Sequence, residues 1–89
     1  MTPGLEPAGL VLGHAVYVAK VGGEQSHRGR VVSLADDAVV KLDRARWSDE
    51  FRVGDRVRAA HAGHFAVNAA VAAAGGGVLR LRLAGVGER

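Results

Sequence analysis

The stretch from residue 28 to residue 42 constrains the fold more than any other part of this sequence. It reads Arg-Gly-Arg-Val-Val-Ser-Leu-Ala-Asp-Asp-Ala-Val-Val-Lys-Leu, two apolar runs separated by an acidic pair. Alternation places Val32 and Leu34 on one face of the first run, and the second run has the same pattern. The pair Asp36-Asp37 suits a tight turn, because short polar side chains hydrogen-bond to nearby backbone there. The stretch therefore predicts a β-hairpin with which further strands can pair.

A first strand is predicted before the hairpin, and further strands are predicted after it. Residues 10–20 are apolar on both faces, with Gly13 as a bend point. Residues 51–58 read Phe-Arg-Val-Gly-Asp-Arg-Val-Arg, and the Phe and Val53 are expected to anchor a Gly-Asp turn that starts a new strand. Residues 78–83 alternate leucine with arginine and predict the clearest strand of the chain.

The segment 64–73 fits two kinds of secondary structure. Its alanines favour a helix, which the glycines at 75–77 would end. The apolar residues from Phe65 to Val71, however, recur with the period of two that is typical of a strand. We therefore predict a strand here.

Six short strands with little room for helix predict an all-β chain. The expected architecture is a small six-stranded antiparallel (split) β-barrel, because closing the sheet removes edges that so short a chain cannot cover. Residues 1–9 are predicted to form a flexible N-terminal arm, residues 10–85 the barrel domain, and residues 86–89 a C-terminal tail or the start of a linker.

Composition limits the classes of function. The 89 residues make one domain without cysteine, which excludes disulfide bonds and thiolate metal sites. No apolar run approaches the roughly 18 residues of a membrane span, and no signal-peptide pattern is present, so a cytoplasmic protein is expected. The net charge of +3 comes from 12 basic residues, mostly arginine, against 9 acidic ones. This excess fits weak binding of a polyanion or an ordinary solvated surface.

No residue pattern indicates catalysis or a bound cofactor. His61 and His64 have a spacing that some metal sites use, but no cysteine or nearby carboxylate completes a ligand set. The serines lie outside any nucleophile elbow. The glycines at 75–77 lead into a strand and lack the Lys-Ser/Thr of a phosphate-binding loop. A protein that is not an enzyme, without cofactor or metal, is therefore expected.

Four arginines and one tryptophan are the candidates for a partner surface: Arg56, Arg58, Arg80, Arg82 and Trp47. The two arginine pairs point outward from predicted strands and would form one basic stripe if those strands are neighbours. Such a stripe could bind phosphates or an acidic protein surface, or it could be the solvated side of the sheet. Trp47 is expected to plug one end of a core that is short of aromatic residues; a ligand-stacking platform is the alternative.

The order of these segments resembles the N-terminal domain that precedes the PilZ domain in YcgR-like, flagellar-brake-type cyclic-di-GMP receptors. The resemblance runs from residue 13 to residue 89. It rests on Gly-His-Ala-Val-Tyr-Val, Arg-Gly-Arg-Val-Val, the turn Asp36-Asp37, Phe-Arg-Val-Gly-Asp-Arg-Val-Arg, Phe-Ala-Val-Asn-Ala-Ala-Val and Leu-Arg-Leu-Arg-Leu, in that order.

The PilZ domain itself is the closest rival, because it shares Val-Gly-Asp-Arg-Val-Arg after a similar hairpin. Its hairpin, however, carries an Asp-x-Ser-x-x-Gly ligand motif, where residues 33–38 here read Ser-Leu-Ala-Asp-Asp-Ala. The PilZ site also needs an Arg-x-x-x-Arg stretch, and Arg28-Gly-Arg30 has the wrong spacing. No nucleotide-binding residue carries over to this chain.

The resemblance implies a non-catalytic β-barrel interaction or regulatory module that lacks its own cyclic-di-GMP site. Its partner would be a PilZ domain, in cis or in trans, or another protein, and the Arg-x-x-x-Arg stretch would follow residue 89. The alternatives are a small basic β-barrel that binds single-stranded nucleic acid and a divergent PilZ domain.

Overall fold

A computed structural model describes residues 10–61 and 66–83. Within these ranges the chain forms six β-strands and one 3₁₀ helix, Ala45–Glu50, between the third and fourth strands. The strands, numbered in chain order, are β1 (Ala15–Lys20), β2 (Ser26–Ser33), β3 (Ala38–Leu42), β4 (Arg56–His61), β5 (Ala66–Gly75) and β6 (Val78–Leu83). The predicted N-terminal arm and C-terminal tail lie outside the described residues.

The strands close into one antiparallel barrel in the order β1-β2-β3-β6-β5-β4, with β4 pairing back onto β1. This confirms the predicted all-β, six-stranded antiparallel barrel. Closure gives each of the six described strands two hydrogen-bonded neighbours, so none of these six presents a free edge to another chain. Recognition of a partner by these strands must therefore use side chains and not added β-pairing.

Alternating side chains fill the barrel interior. In β6, Leu79 and Leu81 are fully buried while the arginines between and after them are exposed, as the sequence pattern predicts. Val16 and Val18 of β1 occupy the same core. The core contains mostly valine, leucine and alanine, with Phe51 as its one fully included aromatic side chain among the described residues.

The hairpin differs from its prediction on one face. Val32 is about half exposed, at 48%, whereas Val31 is buried at 1%. Val32 follows the regular alternation of β2, in which Gly29 and Val31 are buried and Arg30 is exposed. A β-bulge then shifts the phase, because Val31 pairs with Val40 and Ser33 with Val39, so Leu34 packs against the core and Val32 does not. The prediction that Val32 and Leu34 share one face was therefore wrong.

The first strand begins later than predicted. Alternation was expected from residue 10, but β1 starts at Ala15. Gly13, the predicted bend point, has a positive φ of 86°, and its N–H donates to the carbonyl of Val31 at 2.7 Å. This turn lets Leu10, fully buried, cover the core from outside the strand.

The segment with the ambiguous pattern is a strand. β5 runs from Ala66 to Gly75 and pairs with both β4 and β6, which confirms the preference for strand over helix. The first two residues of the predicted segment, 64 and 65, lie outside the described part of the chain. A second β-bulge interrupts β5 between Val71 and Ala73.

The turn before β4 forms as predicted, but only one of its two expected anchors is buried. Phe51 is 4% exposed, whereas Val53 is 70% exposed. The turn is closed by hydrogen bonds instead: the Arg52 N–H donates to the Asp55 carboxylate at 2.9 Å, and the Gly54 N–H donates to the Val71 carbonyl. Backbone bonding to β5 therefore replaces the apolar contact that the sequence suggested.

Within the described residues, no helix combines the length and the apolar character needed to cross a membrane.

The 3₁₀ helix closes one end of the barrel and is tied to the turn between β5 and β6 by Ser48. This side chain is buried; its hydroxyl donates to the Ala45 carbonyl at 3.0 Å and accepts from the Gly77 N–H at 2.9 Å. The next backbone bond in the same region runs from the Leu42 N–H to the Gly77 carbonyl. One hydroxyl thus links the helix, the turn and, through Gly77, the end of β3.

Ser48→Ala is expected to lower the free energy of unfolding by about 1–3 kcal/mol, because the buried Gly77 N–H would lose its acceptor. Urea unfolding followed by tryptophan fluorescence measures the change. Ser33→Ala is the matched control, since the Ser33 hydroxyl accepts only a long, exposed bond of 3.4 Å from the Ala35 N–H. Equal effects of the two substitutions would contradict the linking role of Ser48.

Candidate docking surface

The outward side of β4 presents two arginines. Arg56 and Arg58 alternate with the buried Val57 and Ala59, so both guanidinium groups leave the barrel on the same side. Neither arginine forms an ion pair with any residue that the structure describes. Their positive charge is therefore open to solvent or to a partner.

The outward side of β6 presents the other two arginines, but β6 is not a neighbour of β4. β5 lies between them, so the condition under which one continuous stripe was predicted is not met. The register shows how the strands combine: Arg56 lies opposite Ala70, and Ala70 lies opposite Arg82. Two strand spacings place the Cα atoms of these arginines about 10 Å apart in one row.

Small side chains form the floor between the arginines. The outward residues of β5 are Asn68, opposite Arg58, and Ala73, opposite Arg80, with Ala70 between them. We call this surface, made by the outward sides of β4, β5 and β6, the arginine face. It is a strip of alanine and asparagine side chains bordered by arginines on both sides.

Asp37 offsets part of the positive charge of the arginine face. One of its carboxylate oxygens lies 3.9 Å from Arg80 Nη1, and the other lies 3.8 Å from Arg82 Nε. The Asp37 side chain is only 17% exposed, whereas those of Arg80 and Arg82 are 51% and 75% exposed. The β6 side of the face is thus partly neutralised within the chain, and the β4 side is not.

Trp47 lies outside the arginine face. It belongs to the 3₁₀ helix at the barrel end, is partly buried, and packs against the core. Its ring centroid is 5.0 Å from that of the buried His27, and the Arg44 guanidinium lies 5.8 Å from its centroid. This is the packing position expected of a plug. The structure does not bring Trp47 together with the four arginines.

Two features of the site were not found from the sequence. The acidic pair at 36–37 was interpreted only as a turn, although Asp37 also faces β6. The contacts of the buried His27 were not foreseen either: its ring packs edge-on to Phe51 at 5.6 Å and lies 3.4 Å from a Glu50 carboxylate oxygen. Neither contact has a signal in local sequence, because each joins residues more than twenty positions apart.

In the described part of the chain, the side chains that could bind a metal or act in catalysis do not form a cluster. No group of three or more His, Asp or Glu side chains there is arranged to hold a metal ion. The Ser48 hydroxyl is engaged in the two structural hydrogen bonds described above. His64, one half of the metal-like spacing, lies outside the described residues.

No family model matches the sequence, and no curated protein or solved structure is significantly similar to it.

Proposed function

We propose that this chain is a non-catalytic β-barrel module that docks onto an acidic protein surface in cyclic-di-GMP signalling, as the domain preceding PilZ does in flagellar-brake-type receptors. The observation that carries the docking role is the arginine face on a barrel without free strand edges. The order of sequence segments that resembles the flagellar-brake domain supports the signalling context. In that context the module would act in the cytoplasm.

The chemistry of the arginine face favours carboxylate-bearing partners. Arginine binds carboxylates through two parallel N–H donors, which gives both strength and orientation. Arg56 and Arg58, which form no ion pair with the described residues, supply the attraction, and the alanine floor allows a partner backbone to approach closely. The partner would be a PilZ domain or another protein with an acidic patch.

The proposed mechanism is a geometric relay. A PilZ domain that binds cyclic-di-GMP reorders the segment joining it to this module, and the two barrels then change their relative position. This module contributes a fixed docking surface and no residue that binds the nucleotide. The hairpin supports that division of roles, because residues 33–38 read Ser-Leu-Ala-Asp-Asp-Ala and lack the Asp-x-Ser-x-x-Gly ligand motif of the PilZ hairpin.

A nucleic-acid-binding barrel is the second candidate, and one observation favours it. Tyr17 on β1 is 40% exposed and lies opposite Arg28 of β2, so one aromatic ring stands beside a cation on the outer surface. The arginine face itself offers no aromatic side chain among the described residues. Protein docking therefore fits the larger surface better.

The proposal is tested by titrating the ¹⁵N-labelled chain with the PilZ domain of a flagellar-brake-type receptor. We expect shifts at the arginine face, and about tenfold weaker binding for Arg58→Glu, because a like charge would meet the acidic partner. Arg46→Glu makes the same charge change on the 3₁₀ helix and should leave the affinity nearly unchanged.

Two results would overturn the proposal. Calorimetry with cyclic-di-GMP is expected to show no binding to this chain, so clear micromolar binding would make it a receptor and not a companion module. Equal weakening by Arg58→Glu and Arg46→Glu would show that net charge, and not the arginine face, governs docking. A single-stranded oligonucleotide that displaces the PilZ domain and binds with a steep salt dependence would favour the second candidate.

A further inference from the structure

A shallow depression of about 330 Å³ opens on the outer surface where β3, β6 and the end of β5 meet. Its lining is Val39, Ala73, Ala74, Gly75, Val78 and Arg80. Five of these six residues are apolar or lack a side chain, and only Arg80 carries a charge. The depression borders the arginine face, since Ala73 and Arg80 belong to both.

The bulge in β5 explains why the surface is concave here. Between Val71 and Ala73 the strand contains one residue more than its β6 partner, which turns Ala73 outward opposite Arg80. Beyond the bulge, the small residues alanine and glycine leave space above the strand, while the partly buried Val39 and Val78 form apolar walls around that space. The result is a small apolar concavity with one cation at its rim.

Asp37 determines which anions this rim favours. It already places a carboxylate near Arg80 and Arg82, at 3.9 and 3.8 Å, which are longer than direct hydrogen bonds. A guanidinium has five N–H donors, so each arginine retains donors for a second carboxylate. The negative charge of Asp37 nevertheless weakens the electrostatic attraction of Arg80 for a second anion. A ligand therefore binds more tightly if it also buries an apolar group next to its carboxylate.

We propose that the depression receives an apolar side chain from an acidic segment of the partner, while a carboxylate next to that side chain binds Arg80. This site deepens the proposed docking function and rests on it. The ligand class is an acidic peptide that contains an aliphatic residue. Charge complementarity with the arginines selects the acidic residues, and the apolar walls select the aliphatic one.

Two peptides test the site on the intact chain by ¹⁵N NMR titration: acetyl-Glu-Glu-Leu-Glu-Glu-amide and its analogue with serine in place of leucine. The leucine peptide is expected to bind about tenfold more tightly, the ratio that burial of one aliphatic side chain provides. Ala73→Leu should fill the depression and remove the difference between the peptides. Ala60→Leu, on the outward side of β4, should preserve it, and melting curves of both variants verify folding.

A second comparison isolates the role of Asp37. Asp37→Asn and Asp36→Asn raise the net charge by the same amount, but Asp36 is exposed and forms no ion pair with the described residues. We expect Asp37→Asn to tighten binding of the serine peptide about threefold more than Asp36→Asn does, because only Asp37 competes at Arg80. Equal effects of Asp37→Asn and Asp36→Asn on the affinity for the serine peptide would show that Asp37 does not compete with the peptide for Arg80.

The outcomes separate the site from the function it rests on. Equal affinity for the two peptides, with both weakened by Arg58→Glu, would overturn the apolar site and leave docking at the arginine face intact. A difference between the peptides that persists in Ala73→Leu would place the apolar contact elsewhere and also overturn the site. Failure of both peptides to bind, together with no shifts on adding the PilZ domain, would overturn both proposals.

Discussion

Gly29→Ala is expected to lower the free energy of unfolding by about 3 kcal/mol or more. Gly29 is buried in β2 and lies opposite Leu42 of β3. A Cβ atom there would come within 2.7 Å of the Lys41 carbonyl oxygen and 3.1 Å of the Leu42 Cα. Both are backbone atoms, so no side-chain rotation relieves the clash and β3 itself must move.

Chemical denaturation of Gly29→Ala against Gly75→Ala measures this effect. Gly75 also lies in a strand, yet a Cβ added there meets nothing within 4 Å, and its φ is not positive. The control should therefore be neutral or slightly stabilised, because alanine restricts the unfolded chain. Comparable stability of the two variants would show that β2 and β3 are not packed as closely as the structure places them.

Leu81→Ala is expected to lower the free energy of unfolding by about 2–5 kcal/mol. Leu81 is fully buried, pairs with Ala38 on one side and Val71 on the other, and so contributes to the core from the middle of three strands. The substitution removes apolar contact and leaves a cavity that small, paired neighbours cannot fill. A domain of this length has roughly 5–10 kcal/mol of total stability, so much of it would be lost.

Leu12→Ala is the matched control, since the same atoms are removed from a side chain that is 58% exposed. It should change the free energy of unfolding by less than about 1 kcal/mol. Thermal melts monitored by circular dichroism compare the two variants directly. A Leu12→Ala loss as large as that of Leu81→Ala would place the core elsewhere than inside the barrel.

Gly29→Ala and Leu81→Ala bear on function because only the packed barrel holds the docking surface in shape. Arg56, Arg80 and Arg82 are fixed relative to one another only by the strand register of β4, β5 and β6. Loss of core packing would therefore change the relative positions of these arginines even though no arginine is substituted. Binding assays on variants of the face need the unfolding free energy measured beside them.

Local sequence was enough to predict most of the strands. The alternation of leucine and arginine in residues 78–83 specified both the strand and its orientation, because a period of two has only one placement that buries the leucines. The same reasoning placed Arg56 and Arg58 outward around Val57. Six strands in so short a chain then predicted closure into a barrel, since an open sheet would leave two long edges exposed.

Local sequence failed where one extra residue changes the phase of a strand. A bulge reverses the inward and outward positions that follow it, and it is a feature of pairing with a strand that lies elsewhere in the sequence. The bulge in β2 therefore put Val32 and Leu34 on different faces, although alternation had placed them on one, and the outward turn of Ala73, which shapes the depression, was not foreseen.

By itself, the sequence determined that this protein is a closed barrel of six short strands with arginines on its outer surface. It could do so because the alternation of apolar and polar residues, which specifies each strand, is a local pattern. The tertiary structure alone decided that β5 separates the arginines of β4 from those of β6, and that Asp37 offsets part of the positive charge on β6. It also decided that a bulge opens an apolar depression beside the arginine face. The physical reason is that strand order, register and long-range ion pairs depend on contacts between distant residues, which no local pattern records.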